Sequence, residues 1–283
     1  MKDLINKFRA SRAVKSNWIA GIKELIKAEW YKLYCSKLFL IILTSVAIYS
    51  AIQVGLVYFV HSSDMTAQQD AHLSDMFNFE PLGQNGILMI GNASLILSIC
   101  IAAFSSLFVA SEFQQNTIRA ALALGKKRIY VYLSKLIVLC IAVVLFVIAS
   151  AAVSTAGLTL LYGFGEVPIL EYVRQVLSVF STQMKLYCTF ASVFCMIAFL
   201  CRNVGVTVVL NVAYALLTSI LMSFLASFDA LAFIVKGFPQ YYIMVLNQSN
   251  DLSFYVTATV VSLFYIIVPC IIGLYVFQRT DIK

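Results

Sequence analysis

The 283-residue sequence is 61% hydrophobic and 12% charged, with a mean hydropathy of +0.91 and a formal net charge of +7. Soluble domains hold about 45–50% apolar and about 25% charged residues, so no soluble fold could hide this much apolar surface, whereas a bilayer can. Six spans of about 20–25 residues with short connections use up these residues and leave no stretch for a catalytic soluble domain.

Residues 1–37 are too long and too charged for a cleavable signal, and no short apolar stretch with a small-residue cleavage site precedes the first span. From Trp18 the pattern turns helical: Trp18, Ile22, Leu25, Ile26, Trp30 and Leu33 recur at helical spacing, with Lys23, Glu24, Lys27 and Lys32 mainly off that stripe. A basic amphipathic helix with tryptophans reads as lying in the membrane interface, or packed on a partner at that surface. Glu24, Lys27, Glu29, Trp30 and Lys32 are its candidate interface residues. Apolar runs then predict an all-α integral membrane protein with spans at 38–60, 86–110, 136–161, 186–200, 205–228 and 254–277. The polar segment 61–84 and the polar stretch 111–128 separate the first three. Residues 168–180 read as a short interfacial helix, Arg202-Asn203 as a tight turn, and 229–253 as a mixed stretch before the last span. The two outer segments 168–180 and 229–253, rich in aromatics, are expected to cap the route as short helices.

Cations set the orientation. With the N-terminus inside, cytoplasmic segments hold 17 of the 20 Lys and Arg residues. The outer segments hold Arg174, Lys185 and Lys236, against eight of the 13 acids. The positive-inside rule therefore puts both termini of a multi-pass membrane protein in the cytoplasm. The +7 charge follows from topology and anionic headgroups, and nucleic-acid binding would need an exposed basic domain that the pattern does not offer.

Few positions can carry chemistry. The one Gly-Lys pair, Gly125-Lys126, has Ala120 where a P-loop needs its first glycine and Lys127 where it needs a hydroxyl. His61 and His72 are 11 residues apart, which is no ligand spacing, and neither His-Glu-x-x-His nor Gly-x-Ser-x-Gly occurs. The seven cysteines lie in or beside apolar runs, without Cys-x-x-Cys, and read as small packing residues. No catalytic, metal-binding or cofactor-binding residue is assigned. Ion-coupled transporters generally keep carboxylates inside their spans, and the interiors of these six predicted spans carry none. Gln53, Asn92 and Asn211 are the notable intramembrane polar residues; helix–helix hydrogen bonding and substrate contact are both open to them.

Between spans 2 and 3 runs Ser111-Glu112-Phe113-Gln114-Gln115-Asn116-Thr117-Ile118-Arg119, followed by Gly125-Lys126-Lys127-Arg128-Ile129-Tyr130 and Lys135. A polar helix fenced by two spans cannot build a core of its own, so it should lie on the inner face, either as a solvated connector or exposed to partners. Here the sequence resembles the ABC-2-type exporter permeases, which often show a Glu, a Gly-Thr-Ile-Arg-like run, then a basic residue, an aromatic and a Lys opening the third span. Glu112, Thr117, Ile118, Arg119, Arg128, Tyr130 and Lys135 match in that order. Asn116 stands where glycine is usual, and asparagine also tolerates left-handed geometry. Residues Glu24 to Leu33 look like the family's helix before span 1, and Phe277-Gln278-Arg279-Thr280-Asp281-Ile282 like its exit.

The resemblance implies a permease of a bacterial plasma membrane that pairs with an identical or sibling permease and binds two separate ABC ATPase subunits, which hold the ATP and Mg. Residues 112–119 with Arg128 would act as the ATPase-coupling element. Phe113 and Ile118 would be apolar anchors and Arg119 would meet an acidic groove edge. Phe113 and Ile118 are five apart, about 140° around a regular helix, so they share a face only if the chain bends near Asn116. Antimicrobial or bacteriocin-like peptides, lipids, drugs and sodium are the substrates the resemblance brings with it. An ion-coupled secondary transporter, a non-transporting assembly or sensor protein and an intramembrane enzyme are the competing readings.

Overall fold

A computed structural model describes residues 18–62, 82–92, 94–166, 168–225, 228, 232–246 and 252–279, and every regular element among them is helical. An amphipathic helix, Trp18–Cys35, precedes six helices long and apolar enough to cross a bilayer. The spans are Lys37–Val60, Ser94–Gln114, Arg128–Tyr162, Tyr172–Cys201, Val204–Leu225 and Ser253–Arg279, numbered 1 to 6. The face carrying the N-terminal helix is called proximal below, and an even number of spans returns the end of span 6 to it. His72, the first 17 residues, the 63–81 part of the first long loop, the side chain of Asn92, and Thr280 to Lys283 lie outside what is described.

Span 3 forms the centre, packed against the N-terminal helix and spans 1, 4 and 6. Its Phe146 stacks on Phe39 of span 1 at 5.5 Å and meets Phe104 of span 2 edge-on at 5.3 Å. Dispersion between such close-packed rings, rather than water exclusion, holds spans together in lipid. Buried hydroxyls add to this: Ser50 and Ser150 hydroxyls bond at 2.8 Å between spans 1 and 3. Pro269 sits inside span 6, and three residues earlier the Ile266 carbonyl accepts a hydrogen bond from Ser192 Oγ of span 4 at 2.9 Å. Neighbouring hydroxyls of this kind re-satisfy backbone around prolines in membranes.

Span 3 starts at Arg128 rather than near Leu136, and two further predicted boundaries are corrected. Span 2 starts at Ser94 rather than near Gly86, because residues Gly83–Asn92 form a separate tucked turn. That turn lies so close to span 3 that a Cβ on Gly86 would be 2.4 Å from the Thr155 Cα. Gln183 Nε2 and Tyr187 Oη of span 4 donate to its Ile87 and Ile90 carbonyls. The last correction concerns 168–180, which is not a separate interfacial helix. The chain is one helix from Ile169 to Cys201, with Pro168 just before it, so Arg174 and Lys185 lie within span 4 and not in a loop. Gln183 and Lys185 mimic a boundary in the hydropathy pattern, yet neither breaks a helix, since each side chain finds a partner: Lys185 Nζ donates to Thr259 Oγ1 of span 6 at 2.7 Å. Between spans 5 and 6, Ala232–Val235 and Pro239–Val245 are short helices, and Gln240 Nε2 donates to Ser94 and Ser219 hydroxyls of spans 2 and 5.

Candidate functional site

Three segments meet at the proximal end: the N-terminal helix, the connector after span 2, and the start of span 3. The connector is two short helices, Ser111–Gln114 and Thr117–Ala123. Asn116 joins them in left-handed backbone geometry, at φ 57°. Asparagine is among the few residues that visit this region at low cost. The bend turns Phe113 and Ile118 to the same side, as their spacing required. That side faces inward.

Phe113 is 9% exposed and Ile118 1% exposed. Phe113 meets Phe199 of span 4 edge-on at 5.2 Å and Phe277 of span 6 at 6.3 Å, and the Arg202 guanidinium lies 5.9 Å from its ring. Tyr132 of span 3 closes the cluster, 4.6 Å from Phe199. A Cβ on Gly273 of span 6 would fall 2.4 Å from the Tyr132 hydroxyl, so this glycine makes the approach possible. Exposure to partners therefore fails for Glu112, Phe113 and Ile118, which are buried within the chain. It holds for Gln114, Gln115, Asn116, Thr117 and Arg119, and Leu124 beyond them is 82% exposed.

Glu112 is buried because it belongs to a closed ring of charge. Lys32 Nζ donates to Glu29 Oε1 at 2.9 Å and to Glu112 Oε1 at 3.2 Å. Lys135 Nζ donates to Glu29 Oε2 at 2.9 Å and pairs with Glu112 Oε2. Thr117 Oγ1 donates to the Glu112 carbonyl and carboxylate at 3.1 and 3.3 Å. Two acids and two bases thus alternate around a neutral ring. Lys135 is 1% exposed, and only Lys32 reaches water appreciably. Burial alone would push the Glu29 carboxyl up, but the Lys135 charge and the Lys32 hydrogen bond outweigh it and hold it below the ordinary carboxylate value. Burial would likewise lower Lys32, yet Glu29 and Glu112 win and raise it.

Weaker ties surround the ring. Lys126 donates to Glu24 at 2.9 Å in water, a second link between connector and N-terminal helix. Arg128 Nη1 donates to the Phe277 and Gln278 carbonyls at 3.0 and 2.8 Å, capping the C-terminal end of span 6 where a cation is favoured. On the N-terminal helix, Lys27 is exposed, and so is Trp30, which does not follow Leu25, Ile26 and Leu33 inward; Glu29 takes the inward place. Of the intramembrane amides, Asn211 Nδ2 donates to Ser106 Oγ of span 2 at 2.8 Å, across helices, while Gln53 bonds Tyr49 within its own helix. Sequence reasoning did not find Lys135 as the hub, or Leu124, Arg202 and Lys126 as contacts. The i, i+3 pair Glu29–Lys32, opposite in sign on an otherwise apolar side, was the available signal.

This arrangement is a mechanical tie between three segments. A neutral ring with each charge bonded from both sides couples three segments, so none can shift without moving or breaking the others. A family model described as ABC-2 family transporter protein matches residues 25–219, from the N-terminal helix into span 5, and so contains the whole ring. No curated protein matches the chain.

Proposed function

The chain belongs to the ABC-2 family of transporter proteins and is a membrane-embedded permease subunit, and we propose that it is driven by separate ATPase subunits that grip the connector 111–124. The ring of Glu29, Lys32, Glu112 and Lys135 is the observation that carries this reading. It welds the connector to the N-terminal helix and to the central span, which is what a lever needs at its load end. ATP and Mg would be held by two ATPase subunits, and a second permease, identical or sibling, would complete the route. The cation distribution supports a cytoplasmic proximal face, with both termini on that side. Export from the cell is the direction that the family resemblance favours.

Grip falls to what the connector leaves outside. Leu124 is the exposed apolar anchor, with Gln115 and Arg119 beside it; Phe113 and Ile118 serve the lever from within. Anchoring by one or two buried apolar side chains with a charged rim is usual for interfaces. Affinity purification of the tagged chain from its native membranes, followed by identification of co-purifying ATPases, tests the assignment. Leu124→Asp with Arg119→Glu should cut ATPase recovery by about tenfold or more while the chain still inserts. Full recovery with that variant would remove the connector surface as the grip, and recovery of no ATPase with the wild-type chain would remove the reading altogether.

A further inference from the structure

Span 4 is unusually polar along one side. Arg174, Ser178, Ser181, Lys185 and Ser192 all fall within about 40° of the Lys185 direction at 3.6 residues per turn. The inner end of this stripe is sealed by Ser192 against span 6, whereas Ser181 is exposed and Lys185 half-exposed at the rim of the seam. Sixteen residues separate Lys185 from Cys201 at the proximal end, about 24 Å of helix, which puts its Cα about 6 Å inside the distal boundary of a 30 Å hydrocarbon layer. Side chains on a helix lean toward its N-terminus, and the N-terminus of span 4 is distal. The Lys185 ammonium therefore points outward, to Thr259 Oγ1 at 2.7 Å. Thr259 lies 20 residues from Arg279, about 30 Å along span 6, and so at the distal boundary itself.

A cation at this depth normally meets a carboxylate. Spans 4 and 6 contain no Asp or Glu, and among the described residues no acid forms an ion pair with Lys185. Glu171, which shares the stripe by register, is fourteen residues away, about 21 Å along the axis. Below Thr259, at steps of four, Leu263 and Ile267 of span 6 are each 51% exposed. A charged head with apolar ground beneath it matches an amphiphile.

We propose that Lys185 and Thr259 form a site for the phosphate head of an acidic phospholipid in the distal leaflet, with an acyl chain lying along Leu263 and Ile267. Lys185 supplies the charge and the N–H donors to phosphate oxygens, while Thr259, whose hydroxyl donates to the Tyr255 carbonyl, holds the ammonium in place as its acceptor. The site stands apart from the proximal connector and needs no ATPase, so its test leaves the reading of the connector untouched.

The purified chain, reconstituted in nanodiscs of mixed phosphatidylglycerol and phosphatidylcholine, is released into native mass spectrometry and its retained lipids counted. One cation at the headgroup level should enrich phosphatidylglycerol about fivefold over its share of the disc. Lys185→Arg should keep that enrichment and Lys185→Gln, which can still bond Thr259, should abolish it. Millimolar inorganic phosphate should not displace the lipid, because the acyl chain contributes to binding. Equal lipid ratios in wild type, or enrichment unchanged in Lys185→Gln, would overturn the site; displacement by inorganic phosphate would overturn its membrane-facing character.

Discussion

Lys135 is the residue on which the proximal end depends most. It is fully buried and bonded to two carboxylates, and removing one partner of a buried charge set costs about 3–5 kcal/mol because the others are left uncompensated. Lys135→Met should therefore lower the detergent-solubilised melting temperature far more than Lys32→Met, since Lys32 is half in water and exposed pairs are worth about 1 kcal/mol or less. Adding Glu29→Leu to Lys135→Met leaves a neutral Lys32–Glu112 pair in less polar surroundings. The double variant should thus recover much of what Lys135→Met loses; a further loss would mean that the charges act independently and the ring is no unit. The pH response has a definite sign. Glu29 is lowered in the fold, so its contribution is full above the ordinary carboxylate value of 4.5 and is lost as pH falls below it. Lys32 is raised, so its contribution is full below the ordinary lysine value of 10.5 and is lost above it. Melting temperature should be flat between these limits, and Glu29→Gln should remove the acid-side fall and also weaken the alkaline one, because Glu29 is one of the two carboxylates that raise Lys32.

The connector shows how much an element discloses before it is folded. Its break was legible, because Phe113 and Ile118 could share a side only across a bend and Asn116 is a residue that bends cheaply. Which side they shared was not. An isolated polar helix gives no sign that rings from spans 4 and 6, namely Phe199 and Phe277, will arrive from 86 and 164 residues away to bury Phe113. The same blindness cut span 4 short at Lys185, whose hydrogen-bond partner belongs to span 6. It also put Trp30 on the inward stripe of the N-terminal helix in place of Glu29, whose burial makes sense only once Lys135 stands opposite. Periodicity reads what a segment could bury, and partners far along the chain decide what it does bury. Two substitutions separate these layers. Phe113→Ala should cost about 3–5 kcal/mol of stability, the usual loss for an aromatic in a packed core, and Leu124→Ala should cost almost none. Asn116→Gly should be tolerated, and Asn116→Val should cost about 1–2 kcal/mol by forcing a branched side chain into left-handed geometry. Thermal unfolding of the purified variants reads both comparisons.

At the scale of the molecule, every long-range ion pair among the described residues lies at one end of the six spans. Glu24–Lys126, the Glu29–Lys32–Glu112–Lys135 ring and the Arg128 cap on span 6 are all proximal. A membrane protein concentrates such ties where charges are kept, and the positive-inside rule keeps them on the cytoplasmic side: segments assigned to that side carry 17 of 20 cations. Segments assigned to the distal side carry eight of 13 acids, and the long-range ties described there run through hydroxyls and amides, as in Gln240 with Ser94 and Ser219. The inverted molecule would have to translocate nine cations before span 1 and five between spans 2 and 3, against the bias that orients short charged loops. The arrangement thus predicts sidedness for single cysteines on a background with all seven native cysteines replaced. Ala123 is exposed on the connector and should label only after the membrane is permeabilised. Asp70, in the long segment between spans 1 and 2, should label in intact cells with an impermeant maleimide. One crossing, span 2, lies between the two sites; labelling of both from outside would therefore contradict span 2, whereas an inverted molecule would expose Ala123 and hide Asp70. A third cysteine at Lys37 reports span 1 in the same way: with Asp70 outside, it should label only after permeabilisation, and labelling from outside would mean that span 1 does not cross.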